Sequence, residues 1–202
     1  MIIILDYGIS NIGAVKNALN FLNFKSIISS KKNEIETAKK IIIPGNGNFG
    51  EGMRLLQKHN LIEILDKMVI EKKIPVLGIC LGYQMMFEKN EEDLNYKGLG
   101  WIKGQVKKFK KTNKFLVPHV GWNKINFKKM KLMTGIPNNS RFYFDHSYYT
   151  EISKKKFKCG TTNHGIKFSS VYNSKNIYGC QPHPEKSQKF GLQLLKNFCE
   201  LC

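Results

Sequence analysis

Short apolar runs alternate with stretches of helical periodicity along the first 88 residues. Apolar runs of a few residues bounded by turn residues are typical of buried strands, and apolar residues that recur every three or four positions are typical of helices. The alternation predicts a parallel sheet with helices on both faces, whose ligands bind at the carboxyl ends of the strands. The predicted strands are residues 1–5, 25–29, 41–43 and 74–77, and the predicted helices are residues 11–22, 33–40 and 55–73, the last broken at Asn60.

The pattern changes after residue 90. Residues 98–180 are richer in Phe, Tyr, Val and Thr and carry more turn signals, which predicts short and mostly antiparallel strands. A final helix follows Ser187, which we expect to cap it. Since no linker or repeat divides the chain, we expect one domain over residues 1–202. Its fold class is α/β, an open and mostly parallel twisted sheet flanked by helices with an added antiparallel part.

The composition is that of an ordinary globular protein, with 42% hydrophobic residues and a net charge of +18. Residues 94–180 hold most of the charge, with seventeen lysines and Arg141 against Asp145 and Glu151. Only two of the 33 basic residues are Arg, which reads phosphates and bases with paired hydrogen bonds, and no nucleic-acid-binding motif is present. We therefore expect a solvated basic surface that guides a complementary partner protein, and no nucleic-acid partner.

The sequence also bears on location. No apolar run reaches the roughly 18 residues of a membrane-spanning helix, and the chain starts on an apolar run without the charged leader of a signal peptide. Its five cysteines are an odd number without a disulfide-like framework, which fits a reducing compartment. We expect a cytoplasmic protein with no membrane partner.

The segment Gly78-Ile79-Cys80-Leu81-Gly82 follows the fourth predicted strand and precedes residues 85–87, which we expect to continue as a helix. Gly-x-Cys-x-Gly is the thiol counterpart of the nucleophile elbow, in which glycines leave room for a sharp strand-to-helix turn. The first turn of a helix stabilises a thiolate through its unpaired N–H groups. Cys80 is therefore the candidate nucleophile, with Gln84 one helical turn away on the same face.

A cysteine nucleophile needs a base, and the base needs a group that orients it. The segment His183-Pro184-Glu185 offers both, because alternate residues of an extended segment point to the same side. Acyl transfer also needs N–H donors for the oxyanion. Leu81 at the helix start and the turn Gly45-Asn46-Gly47 at a neighbouring strand end are the candidates, with the N–H of Asn46 as the expected donor in that turn.

Three motifs together resemble the triad, or class I, glutamine amidotransferases, and three further segments resemble the branch that forms the glutaminase subunit of imidazole glycerol phosphate synthase. The resemblance covers essentially the whole chain. The family motifs are Pro44-Gly45-x-Gly47, Gly78-Ile79-Cys80-Leu81-Gly82-x-Gln84 and His183-Pro184-Glu185. The branch segments are Pro118-His119-Val120-Gly121-Trp122-Asn123, Phe142-Tyr143-Phe144-Asp145-His146-Ser147-Tyr148-Tyr149 and Glu185-Lys186-Ser187.

The resemblance implies hydrolysis of L-glutamine through a γ-glutamyl thioester on Cys80, with His183 as base and then acid and Glu185 as its orienter. The residues that it places around bound glutamine are Gly47, Gln84, Ser147 and Tyr148. It implies no metal and no cofactor. Ammonia would pass to a separate (β/α)8-barrel cyclase/synthase subunit in a heterodimer, which makes imidazole glycerol phosphate and an aminoimidazole carboxamide ribotide in histidine biosynthesis.

Three residues depart from the usual pattern of the family, namely Asn46, Asp145 and Pro182. Paralogous subunits that give ammonia to another acceptor, such as an enzyme of surface-sugar amidation, are therefore the alternative. A stand-alone cysteine hydrolase and a non-catalytic basic module that binds nucleic acid are two further hypotheses. The resemblance also implies activation by the partner's ligand, and the turn at residues 44–47 is the expected switch, because its glycines allow a peptide to flip.

Overall fold

The structure is a computed structural model that describes residues 1–9, 11–111, 115–153 and 158–202. The strands are β1 Ile2–Leu5, β2 Ser26–Ser29, β3 Lys40–Ile43, β4 Val76–Ile79, β5 Phe87–Asn90, β6 Ile102–Lys108, β7 His119–Lys124, β8 Arg141–His146, β9 Tyr148–Ile152, β10 Lys158–His164, β11 Ile166–Ser174 and β12 Ile177–Cys180. The α-helices are α1 Ile12–Phe21, α2 Lys32–Ile35, α3 Phe49–Lys58, α4 Ile62–Asp66, α5 Leu81–Met85 and α6 Gln188–Leu201, and short π and 3-10 segments are Lys67–Glu71, Lys131–Met133 and Pro184–Lys186.

The strands form one large sheet in the order β2-β1-β3-β4-β12-β11-β9-β6-β5, with β10 paired to β11, and a separate antiparallel pair β7-β8. Strands β1 to β4 and β12 run parallel. From β12 to β6 the pairs are antiparallel, and β5 then lies parallel to β6. The expected fold class is confirmed, including the antiparallel part between residues 98 and 180.

Both faces of the parallel part are covered by helices, as the apolar pattern predicts. In β1, Ile2 and Ile4 pack in a cluster with α1 and α6, whereas Ile3 and Leu5 pack in a second cluster with α3 and α4. Successive side chains of a strand point to opposite faces, so a continuous apolar run is what a doubly covered strand requires. Burial of each such side chain stabilises the folded state by about 1.5–3 kcal/mol.

Three predicted elements have different bounds. The helix expected over residues 33–40 is only the four-residue α2, Lys32–Ile35, and Lys40 already belongs to β3. Helix α3 begins at Phe49, six residues before the expected start, because Asn48 caps it by accepting the backbone N–H of Glu51 at 3.1 Å. The break at Asn60 is confirmed, with a left-handed φ of 52°. The helix after Cys80 was expected to include Phe87, but it ends at Met85 and Phe87 starts β5, since that strand pairs with β6.

The insertion of β12 beside β4 positions the site. The two strands lie parallel, and the backbone N–H of Cys80 donates to the carbonyl of Cys180 at 2.8 Å. The segment that leaves β12, residues 181–185, therefore lies against the start of α5. Within the described ranges, none of the helices is long and apolar enough to cross a bilayer.

Candidate active site

Cys80 lies on a sharp corner between β4 and α5, as the elbow motif predicts. Its backbone has φ 51° and ψ −107°, a conformation that residues with a Cβ rarely adopt and that is found at functional sites. A Cβ on Gly78 would lie 2.7 Å from the carbonyl oxygen of Gly82, and a Cβ on Gly82 would collide with the carbonyl of Ile43. The two glycines are thus what permits the corner, which keeps the sulfur at the end of the strand.

The structure brings the predicted base and orienter to this corner. His183 Nδ1 lies 2.9 Å from Glu185 Oε1, and both side chains are almost fully buried. Asn11 Nδ2 donates to the same carboxylate oxygen at 2.6 Å. Because Nδ1 is bonded to the carboxylate, the other ring nitrogen of His183 is the one available to Cys80, and the proximity of Cys80 raises the pKa of His183. The three predicted triad members therefore form one connected group.

The pKa of His183 follows from these neighbours. Burial by itself would lower it, but the charge of Cys80, the hydrogen bond to Cys80 and the hydrogen bond to Glu185 raise the pKa of His183 to about 10. The imidazole therefore carries a proton at neutral pH. A protonated imidazole beside the sulfur can give that proton to a leaving group.

The local reasoning that predicted the contact between His183 and Glu185 was wrong in one respect. The segment is not extended, because Pro184–Lys186 form one turn of 3-10 helix. Ser187 was expected to cap α6 but makes no side-chain capping bond. Its hydroxyl donates to the carbonyl of His183 at 2.6 Å and accepts the backbone N–H of Tyr143 at 2.9 Å. Ser187 thereby ties the base to β8.

A cavity of about 220 Å³ opens beside Cys80. This volume is below that of most drug-sized pockets and suits a ligand of amino-acid size. All four residues predicted to surround glutamine line it. The lining residues are Gly47, Cys80, Gln84, Glu92, Pro118, Asp145, His146, Ser147 and Tyr148.

The two residues predicted to supply oxyanion N–H groups are chain neighbours of residues that line this cavity. Leu81 is the first residue of α5 and directly follows Cys80. Asn46 lies in the turn before Gly47 with an exposed side chain. The left-handed backbone of this turn belongs to Gly47, whose φ is 101°. The oxyanion role of both N–H groups stays a prediction.

Comparisons with known proteins agree with this geometry. Residues 3–202 match the family Glutamine amidotransferase class-I. The "Imidazole glycerol phosphate synthase subunit HisH 2" of Methanococcus maripaludis is 46% identical over 98% of this chain and 98% of its own length.

The chain belongs to the class-I glutamine amidotransferases. Other relatives of this amidotransferase cover both sequences in full. The "Imidazole glycerol phosphate synthase subunit HisH 2" of Pseudomonas aeruginosa is 42% identical, and the "Imidazole glycerol phosphate synthase subunit HisH" of Methanocaldococcus jannaschii is 44% identical.

Solved structures support the fold of the amidotransferase. One described as a glutamine amidotransferase superposes with a TM-score of 0.76 at 16% identity, covering 98% of this chain and 97% of the other. A glutamine amidotransferase from Thermotoga maritima superposes with a TM-score of 0.64 at 16% identity, covering 98% of this chain and 82% of the other.

Sequence reasoning missed Glu92 as a residue of the amidotransferase cavity. Burial raises the pKa of its carboxyl group, while its Oε2 accepts the backbone N–H of Phe49 at 3.0 Å. The available signal was the acidic run at residues 91–93 in an otherwise basic chain.

His146 was also missed, because a histidine within a predicted strand resembles a core residue. It lines the cavity, and its Nδ1 lies 2.7 Å from the carbonyl oxygen of Tyr148. Its Nε2 lies 2.9 Å from His119 Nδ1. Burial lowers the pKa of His146 to about 3 and that of His119 to about 4, so both rings are neutral at physiological pH.

Proposed function

We propose that this chain hydrolyses L-glutamine through a γ-glutamyl thioester on Cys80 and supplies the ammonia to a separate (β/α)8-barrel cyclase/synthase subunit. With that subunit it makes imidazole glycerol phosphate and an aminoimidazole carboxamide ribotide in histidine biosynthesis. One observation carries the proposal. The sulfur on its strained corner lies near an imidazole whose Nδ1 is held by Glu185, at the edge of a cavity of amino-acid size.

The first half of the reaction forms the thioester. Cys80 Sγ attacks the side-chain carbonyl carbon of glutamine, and the carbonyl electron pair moves to oxygen. The N–H groups of Leu81 and Asn46 stabilise this charge by donating hydrogen bonds to it. When the carbonyl re-forms, the C–N bond breaks and the proton of His183 goes to the departing nitrogen, which leaves as ammonia.

The second half restores the enzyme. His183 is now neutral and takes a proton from a water molecule as the water oxygen attacks the thioester carbon. Collapse of this intermediate breaks the C–S bond, releases glutamate and returns the thiolate of Cys80 beside a protonated imidazole. Glu185 holds Nδ1 of the ring throughout, so that the free nitrogen stays available to the sulfur.

The cavity supplies complementary groups for the α-substituents of glutamine. The carboxylate of Glu92 suits the α-ammonium group, because a charge-assisted hydrogen bond is about twice as strong as a neutral one. Gln84 already donates both hydrogens of Nε2, to the Tyr148 carbonyl at 2.9 Å and to Gln181 Oε1 at 3.0 Å. Its oxygen is therefore the end that can accept from a ligand.

The exposed face of the β7–β8 pair is the surface that we assign to the cyclase subunit. Trp122 is 45% exposed, and Lys186 Nζ lies 5.5 Å above the ring of Tyr143, the residue opposite Trp122 in the pair. Pro118 and Asp145 line the cavity at the edge of this face. A partner seated there covers the cavity from which ammonia leaves. A thiol nucleophile suits a reducing compartment, and we place the complex in the cytoplasm.

Substitution of Cys80 tests the proposal directly. In the complex with the cyclase subunit, Cys80→Ser should abolish synthesis that depends on glutamine and leave synthesis from added ammonia unchanged, because only the first reaction needs the sulfur. Cys159→Ser, a half-buried cysteine on β10, is the matched control and should retain both activities.

Loss of both activities in the Cys80 variant would show a structural role and defeat the proposal. Hydrolysis of glutamine by a chain that neither binds nor feeds the cyclase would instead assign it to a paralogous pathway with another ammonia acceptor.

A further inference from the structure

The side chain of Gln181 touches the reacting sulfur. It is fully buried at the end of β12, and its Nε2 lies 3.6 Å from Cys80 Sγ, within range of a hydrogen bond to sulfur. The proposed steps leave this contact unused. We infer that Gln181 is a further catalytic residue, whose amide N–H stabilises the thiolate of Cys80 and fixes the direction of the sulfur.

The direction of this hydrogen bond follows from its neighbours. The backbone carbonyl of Tyr148 can only accept, so the end of Gln84 that lies 2.9 Å from it must be the NH2 group. The second hydrogen of that NH2 group goes to Gln181 Oε1 at 3.0 Å. With its oxygen so engaged, Gln181 must present its own NH2 group to the sulfur. A flipped amide would set two donors against each other and place an oxygen against the thiolate.

The backbone carbonyl of Tyr148, which accepts from Gln84, also accepts from His146, and His146 is in turn bonded to His119. His146 must donate its Nδ1 hydrogen to Tyr148, so its Nε2 accepts from His119 Nδ1. His119 Nε2 then accepts from Asn123 Nδ2 at 3.1 Å. Each bond in this chain has one allowed direction. A buried network that is satisfied throughout holds its members in one arrangement, which makes the donor to Cys80 preorganised.

The hydrogen bond from Gln181 affects whether the sulfur of Cys80 is protonated. A hydrogen bond to a charged group favours that form, and its loss changes the ratio of thiolate to thiol about 10- to 100-fold. A thiolate with fewer donors is also the better nucleophile. Removal of the Gln181 N–H should therefore lower reactivity at neutral pH but not at high pH. The other titratable groups around Cys80 are His183, Tyr7 and Cys180, together with the cavity residues Glu92, Asp145, His146 and Tyr148. The substitution leaves all of them in place.

The test measures alkylation of Cys80 in the full chain with iodoacetamide across pH, read by peptide mass spectrometry. Gln181→Met removes the donor at similar size, and Gln181→Glu puts an acceptor in its place. Gln105→Met, where the native side chain bonds Glu151 on the surface, is the control. We expect the midpoint of the Cys80 profile to rise by about one to two pH units in Gln181→Met. Above the midpoint the rate should equal or exceed that of the unchanged protein, and the control should match the unchanged protein throughout.

Profiles that superimpose on that of the unchanged protein, or rates reduced equally at every pH, would overturn the inference. If neither Gln181 variant folds, Gln84→Met decides, because it removes the group that orients Gln181. In Gln84→Met, a rise of the midpoint of the Cys80 alkylation profile that is smaller than the rise predicted for Gln181→Met supports the inference. An unchanged midpoint refutes it.

This inference rests on the proposed function of Cys80, but the experiment separates the two. A Cys80 that reacts no faster than Cys199 in the unchanged protein, with no glutamine hydrolysis, defeats the proposed function. A reactive Cys80 with glutamine hydrolysis and an unmoved profile in the variants defeats only the role of Gln181. In turnover, Gln181→Met should lower kcat with little change in KM, since the cavity residues are unchanged.

Discussion

Glu185→Gln separates the charge of the orienting group from its shape. Oε1 of Glu185 receives His183 Nδ1 at 2.9 Å and Asn11 Nδ2 at 2.6 Å, whereas Oε2 is buried with no hydrogen-bond partner among the described residues. A glutamine can keep its oxygen toward both donors and put its NH2 group where Oε2 lies. The tautomer of His183 and the position of its ring then survive, and only the charge is removed.

The magnitude follows from that difference. A hydrogen bond to a charged group contributes about 1.5–3 kcal/mol and a neutral one about 0.5–1.5 kcal/mol, so the imidazolium loses roughly 1–1.5 kcal/mol. Conversion at about 1.4 kcal/mol per factor of ten gives a decrease in kcat of roughly tenfold. His183→Ala should be far more severe, because it removes both base and acid.

The pH dependence has a defined sign. Contacts with Cys80 and Glu185 raise the pKa of His183 to about 10 against the cost of burial, which keeps the ring protonated into alkaline solution. Without the carboxylate charge that pKa falls, so the alkaline decline in activity should move to lower pH. Ammonia release from glutamine, measured in the complex across neutral and alkaline pH, is the assay. Glu36→Gln, at a surface ion pair with Lys67, is the control.

An unchanged rate and pH profile in Glu185→Gln would refute the coupling between this carboxylate and His183. A loss as large as that of His183→Ala would show that Glu185 does more than orient the ring.

Three further substitutions test the cavity and its walls. Glu92→Gln should raise the KM for glutamine about 10- to 100-fold with little change in kcat, as steady-state kinetics would show, because a charged contact to the α-ammonium group is lost; an unchanged KM contradicts that role. Gly47→Ala should reduce glutamine turnover and spare ammonia-dependent synthesis, since the added Cβ meets no atom within 4 Å but φ 101° is strained for alanine; full turnover would show that this backbone conformation is dispensable. The pKa values of about 3 and 4 for His146 and His119, below the ordinary 6.5, mean that the unfolded chain binds more protons, so the free energy of unfolding should fall as the pH drops from 6.5 toward 3. Urea titrations should show that His146→Asn reduces this slope by up to about 1.4 kcal/mol per pH unit, whereas the exposed His59→Asn should not.

The sequence predicts those parts of the fold that depend on local pattern. The apolar runs before residue 80 become β1, β3 and β4, because a strand covered on both faces needs apolar residues throughout. The edge strand β2 is only half apolar, and its Ile28 is exposed. Cys80 could be identified because the glycines of its corner are required by sterics alone. The start of α3 could not, since it depends on one capping bond from Asn48 that many asparagines could make.

Contacts between residues far apart in the sequence could not be predicted from local sequence patterns. The helix predicted from Asn11 begins at Ile12, and Asn11 stands at its N-cap position with φ 79° and no side-chain capping bond. Its amide instead reaches Glu185, 174 residues away. The contact of Gln181 with Cys80 depends in the same way on the placement of β12 beside β4, which no periodicity encodes. Motifs at strand ends therefore revealed the triad, whereas the groups that orient it required the structure.

Detection of the covalent intermediate tests the central claim most directly. The complex is mixed with isotopically labelled glutamine, quenched in acid within a turnover, digested, and its cysteine peptides are weighed. We expect the mass of one labelled γ-glutamyl group on the peptide that contains Cys80, absent in Cys80→Ser and absent from the peptides of Cys159, Cys180 and Cys199. Glutamine turnover with no adduct on Cys80, or with the adduct on another cysteine, would contradict the assignment of Cys80 as the nucleophile.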